Sequence, residues 1–125
     1  MKKTIGILGG MGPLATADLF KKIVLMTKAG SDNEHIRIYI DNNAQIPDRT
    51  GAILGGGADP VPQMSSALKH LEACGADCII MNEAVIGAGA ELKYVILDKN
   101  VTVTPGAKLI GTKKNPIVVK RGETV

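Results

Sequence analysis

Apolar residues in the first 81 positions gather into three short runs: TIGIL (4–8), IRIYI (36–40) and CIIM (78–81). Each is too short for a helix and lies beside Gly, Asn or Asp, the pattern of strands buried on both faces of a parallel sheet. Between the first two runs, Leu19, Ile23 and Met26, with Phe20 and Val24 beside them, recur at helical spacing and predict a helix from Leu14 to about Lys28. Pro13 suits its first turn and Gly30 its stop. Between the second and third runs, Val61, Met64, Leu68 and Leu71 predict another helix, with Asp59 as N-cap, Pro60 at N1 and Gly75 at its end. Strands alternating with helices define an α/β fold, a βαβαβ unit with right-handed crossovers.

Beyond Met81 the period changes to six. Ile86, Leu92, Leu97, Val103 and Leu109 mark the repeat, with the small residues Ala90, Val101 and Ala107 between them. The chain therefore divides into residues 1–81 and 82–125, with no linker between them. Its 125 residues suffice for one ordinary domain or parts of two.

Apolar residues make up 45% of the chain but aromatics only 2%, so the core must be built from Ile, Val, Leu, Ala and Met. The net charge of +3 arises in the second segment, where seven Lys/Arg face four Asp/Glu, against eight of each in the first. Lys113, Lys114, Lys120 and Arg121 are spread among Gly, Asn and Pro with no aromatic platform, which reads as a solvated surface and not a nucleic-acid interface. No run approaches the roughly 18 apolar residues of a membrane span, so a cytoplasmic location without membrane contact is expected. The C-x3-C spacing of Cys74 and Cys78 fits neither a zinc pair nor a redox motif, so two buried thiols and no metal are expected. His35 and His70 read as surface residues.

Ligands of such sheets bind beyond the carboxyl ends of the strands. The first of these loops, GGMGP, opens a helix and offers backbone N–H groups to an anion. Its Gly10-x-Gly12-x-x-Ala15 pattern fits the dinucleotide fingerprint loosely, but Asp41 lies 31 residues after Gly10, where a ribose-binding acid is expected after about 20. The second loop, DNNAQIPDRT, supplies Asn42, Asn43, Gln45 and Arg49, whose guanidinium suits a carboxylate and is oriented by Asp48. An anion-holding loop facing an Arg-bearing loop describes a site for a small dicarboxylate; an Asx-rich turn with a surface Asp–Arg pair is the plainer alternative.

MKKTIGILGGMGPLATADLF, DNNAQIPDRT and HLEACGADCIIM together resemble the amino-terminal half of the aspartate/glutamate racemase family, nearest its aspartate racemase branch. The resemblance implies a cofactor-independent enzyme of two similar α/β domains, in which one cysteine from each acts as acid or base on opposite faces of the substrate α-carbon. It implies that Met11 and Gly12 line the substrate site, that Asn42 and Asn43 hold the α-carboxylate region, and that Arg49 meets the side-chain carboxylate of aspartate or glutamate. In that family the third strand ends in a Pro-Cys-Asn-Thr type loop carrying the first catalytic thiol. Here Met81 is followed by Asn82, Glu83, Ala84 and Val85, so Glu83 stands in the cysteine's place and no catalytic residue is assigned.

The stretch VIGAGAEL to VTVTPGAKLIG resembles a left-handed β-helix of hexapeptide repeats. With the closing GTKKNPIVVKRGETV it resembles the carboxyl-terminal end of ADP-glucose pyrophosphorylases (glucose-1-phosphate adenylyltransferases), a part that implies subunit contacts and no adenylyl transfer. The whole reads as two incomplete pieces joined, as an engineered, recombined or artefactual fusion would give. Little more than one coil is expected, so the tail either packs poorly or borrows the exposed sheet edge of the first segment. Three functions remain open: a racemase-family member without its thiols, a non-catalytic dicarboxylate binder, and an assembly fragment, possible as a homo-oligomer.

Overall fold

In a computed structural model, residues 4–10, 12–47, 54–81 and 83–125 are described. Strand β1 (Thr4–Gly9) leads to helix α1 (Pro13–Met26), a 3-10 turn (Asp32–Glu34) and strand β2 (Arg37–Asn42). Helix α2 (Val61–Ala73) then leads to β3 (Cys78–Met81). Six short strands follow: β4 (Val85–Ile86), β5 (Glu91–Lys93), β6 (Val95–Leu97), β7 (Thr102–Val103), β8 (Lys108–Ile110) and β9 (Ile117–Val119).

The five-stranded parallel sheet has the order β2-β1-β3-β6-β9 and so runs through both segments. Cys78, Ile79 and Ile80 of β3 pair with Val95, Ile96 and Leu97 of β6, which pair in turn with Ile117, Val118 and Val119 of β9. Two further parallel pairs, β4 with β7 and β5 with β8, complete a three-faced coil of the β-helix type. Two coils are present, and a third begins where Thr124 bridges to Thr102. The expected repeat positions turn inward: Leu97, Val101 and Val103 are buried, with Ile86, Ala90, Leu92, Ala107 and Leu109 packed against the same cluster, and Val95 and Val119, not expected from the repeat, are buried with them. The tail borrows the sheet edge. It also packs better than one coil would allow.

Side chains alternate across the sheet, so two cores form. Ile7, Leu19, Cys78 and Ile80 share one cluster with the interior of the β-helix. Leu8, Ile79 and Met81 meet Ala67 and Leu71 of α2 on the other face. The two segments are thus joined by side-chain packing as well as by backbone hydrogen bonds. Asp77 ties the start of β3 to that of β1, with its Oδ2 accepting the Thr4 N–H at 2.9 Å and its own N–H donating to the Thr4 carbonyl at 2.8 Å.

Several local expectations shift. Helix α1 buries Thr16 and Leu19 and leaves Met26 exposed, so its inward stripe runs Thr16, Leu19, Ile23. It stops at Thr27, before Gly30, where the Thr27 hydroxyl donates back to the Ile23 carbonyl at 2.6 Å. Helix α2 is capped from Pro60, and Asp59 Oδ1 accepts the Val61 N–H at 3.0 Å. Cys78 is buried but Cys74 is exposed, so only one of the two thiols lies in the core. His35 is half-buried rather than on the surface, with its Nδ1 sealed from solvent.

Candidate functional site

The strand register brings the three expected loops together. Leu8 pairs with Asp41 on one side and with Met81 on the other, and Gly9 pairs with Asn42. Adjacent strands lie about 4.8 Å apart, so the chain leaves β1, β2 and β3 within about 10 Å at one edge of the sheet.

The turn out of β1 is held by Thr16, a residue not singled out in the sequence. Its hydroxyl accepts the Gly10 N–H at 3.1 Å and donates to the Gly12 carbonyl at 3.3 Å. Gly10 has φ of +103°, and a Cβ there would overlap the Asn43 carbonyl. The Gly-rich turn therefore packs backbone to backbone on the loop after β2. Gly12 caps α1 with extended backbone and no side-chain hydrogen bond, and Pro13 follows at N1. The first-turn N–H groups beyond it keep their capacity for an anion.

Asn42 is exposed at the end of β2. Asn43 is half-buried and partly committed: its Oδ1 accepts the Gln45 N–H at 3.0 Å, and its Nδ2 donates to Gln63 Oε1 at 3.2 Å. That is an Asx turn fixing the loop against α2, a role the composition of DNNAQ signals locally. Its partner Gln63, 20 residues away, carried no such signal. Asp41 Oδ2 lies 3.6 Å from His70 Nδ1, a second link from β2 to α2, and His70 is on the surface as expected. Met11, Asp48, Arg49 and Asn82 lie outside the described residues.

The carboxyl end of β3 carries no thiol. Cys78 starts the strand, and at ~3.3 Å per residue it lies about 10 Å from the edge where Met81 ends it. Cys74 sits at the end of α2, at the opposite edge. Glu83 is exposed in a turn with φ of +64°, from which the chain passes directly into β4. In the described part of this edge, the acid and base that meet are Asp41 and the exposed His70, on the face of the sheet covered by α2. Among the described residues no group of His, Cys, Asp and Glu is placed to hold a metal ion. No helix among them is long and apolar enough to cross a membrane.

A parallel sheet whose Gly-rich first turn opens a helix beside an Asn-rich second loop defines an α/β protein with these two loops side by side at its carboxyl edge. Within that class, the Asp/Glu/hydantoin racemase family model matches residues 8–82, more than half of the chain, and the chain belongs to that family. A GlmU-like carboxyl-terminal hexapeptide model matches residues 65–116, so the coil is of the hexapeptide type. The structure is similar to that of Picrophilus torridus aspartate racemase, with 40% identity and a TM-score of 0.59 over 63% of this chain. The similarity covers 34% of that chain, so this protein spans about a third of the racemase it matches.

Proposed function

We propose that this chain is an aspartate/glutamate racemase-type scaffold that does not interconvert stereoisomers. The observation that carries the reading is the exit from β3. A racemase of this type needs a thiol at the carboxyl edge, and the chain has instead an exposed Glu83 leading into the β-helix. Without a group that abstracts the α-proton, N–H donors that bind the substrate carboxylate stabilise no developing charge. Residues 1–81 act as an incomplete racemase domain and 82–125 as a hexapeptide segment from a sugar-nucleotide enzyme, of which the end of a glucose-1-phosphate adenylyltransferase is our assignment. The fusion works without a cofactor, in the cytoplasm.

The test is the α-proton signal of L- and D-aspartate in deuterated buffer, followed by NMR. We expect no loss of signal with the folded protein. Exchange that disappears in Glu83→Ala would overturn the reading and make Glu83 the base.

A second reading, dicarboxylate binding without chemistry, is favoured by the uncapped start of α1 next to Asn42 and Asn43. Aspartate or glutamate would place one carboxylate at the α1 terminus and the Asn42 amide, and the other at Arg49. Calorimetric titration with aspartate should then give saturable heat that Arg49→Ala weakens about tenfold or more, as expected for a charge-assisted pair. Concentration-dependent mass without aspartate binding would favour the third reading, a homo-oligomer assembled through the coil.

A further inference from the structure

At the opposite, amino-terminal edge of the sheet lies a cavity of about 430 Å³. Its walls come from both segments: Ile5 and Ile80 from the racemase-type sheet, Ile86 and Leu92 from the first coil, and His35 beside them. Two features give it a chemical preference. The walls are chiefly apolar, as in pockets that take the body of a small organic ligand. The charged side chains that line it are both carboxylates, Glu34 and Glu91, with no Lys or Arg among the lining residues. His35 lines it as well, but its Nδ1 is sealed from solvent and so lies out of a ligand's reach. The carboxylates are only partly engaged elsewhere. Glu34 Oε2 accepts the Gly30 N–H at 2.7 Å, and Glu91 Oε1 lies a loose 3.8 Å from Lys108 Nζ.

From this we infer that the cavity binds a primary amine with an apolar body, an alkyl- or arylalkylammonium. The hydrocarbon fills the space between Ile5, Ile80, Ile86 and Leu92. The ammonium faces Glu34 and Glu91. Such a site exists only where the coil meets the sheet, because neither segment alone supplies all of its walls. It is separate from the carboxyl-edge site, so either can fail without the other.

The experiment is a titration of the isotope-labelled full chain, at neutral pH, with hexylamine, hexanol and hexanoate, read at the methyl signals of Ile36, Ile86 and Leu92. Hexylamine should give saturable shifts at all three, hexanol should bind about fivefold more weakly, in line with a partly exposed charge contact, and hexanoate should not saturate. Glu91→Gln should weaken hexylamine about fivefold and leave hexanol unchanged. Equal affinity for the amine and the alcohol, preference for hexanoate, or no saturation in a chain with a dispersed folded spectrum would each overturn the inference. Glu34→Gln retains an acceptor for Gly30 and serves as the second variant. Unchanged hexylamine affinity in both variants would likewise overturn it.

Discussion

Ile80 of β3 lies directly opposite Leu97 of β6 in parallel register, and both are buried. The pairing of β3 with β6, to which it belongs, joins a racemase-type sheet to a hexapeptide coil. Strand β3 thereby serves twice, as the third strand of the α/β unit and as the rung on which the first coil stacks. The paired residues Cys78 and Val95 are separated by 17 positions, close to the roughly 18 residues of a three-hexad coil. The overlap of the two family matches over residues 65–82 fits this double use.

The shared core predicts joint unfolding. Leu97 shares one buried cluster with Ile7 and Ile80 of the first segment and Val101 and Val119 of the second. Leu97→Ala should cost about 2–5 kcal/mol, the usual range for a buried leucine. Urea titration should show one transition, with amide exchange at Ile7 and Val103 accelerating together. Protection lost only in residues 86–110 would show that the coil folds as a separate, weaker unit.

The turn out of β1 predicts a contrast between two neighbouring glycines. Gly10 has left-handed backbone and no room for a Cβ against the Asn43 carbonyl, whereas Gly12 has φ of −102° and open space around it. Gly10→Ala should lower stability by about 2–4 kcal/mol from combined backbone strain and overlap, and Gly12→Ala by less than about 1 kcal/mol. Chemical denaturation of the two variants checks this. Equal losses would mean that the β1 and β2 loops do not meet as described.

Thr16 offers a finer test of the same turn. It is buried, and its hydroxyl holds both Gly10 and Gly12. Thr16→Val keeps the shape but leaves the Gly10 N–H without that acceptor, which should cost about 1–3 kcal/mol. Thr16→Ser keeps the hydroxyl and should recover most of the loss, a rescue that methyl packing alone would not give.

These positions also mark how far the sequence could be read. The strands were legible because Ile7, Leu8, Ile79 and Ile80 lie in apolar runs, and the coil because its inward residues from Ile86 to Leu109 recur every six positions but for one interval of five, Leu92 to Leu97. The second coil was harder to see. The stretch GTKKNP places 22 positions between the paired residues Val95 and Ile117, so the repeat loses its period before β9. Met26 fits a helical stripe yet stays exposed because the packing of α1 against the core ends with Ile23, a tertiary fact that periodicity does not carry. At the site, Asn42, Asn43 and the Gly-rich turn were found through their local chemistry. Thr16 and Gln63 were missed because their partners are fixed by how α1 and α2 dock, and an isolated Thr or Gln in a helix carries no mark of it.

Glu83 provides the last test, because strain and function give it opposite fates. A non-glycine residue at φ of +64° is held in a conformation that disfavours L side chains by roughly 1–2 kcal/mol. Such strain is tolerated where a site needs the residue, or where the fold needs a turn and the residue is incidental. Exposure of the Glu83 side chain and the immediate start of β4 at Val85 support the second case. Glu83→Gly should then raise the denaturation midpoint by the equivalent of about 0.5–1 kcal/mol, since the extra freedom of glycine in the unfolded chain offsets part of the relieved strain. Aspartate binding should be unchanged. A variant that is more stable but loses aspartate binding would show that the turn after β3 still belongs to the carboxyl-edge site, even without the family's thiol.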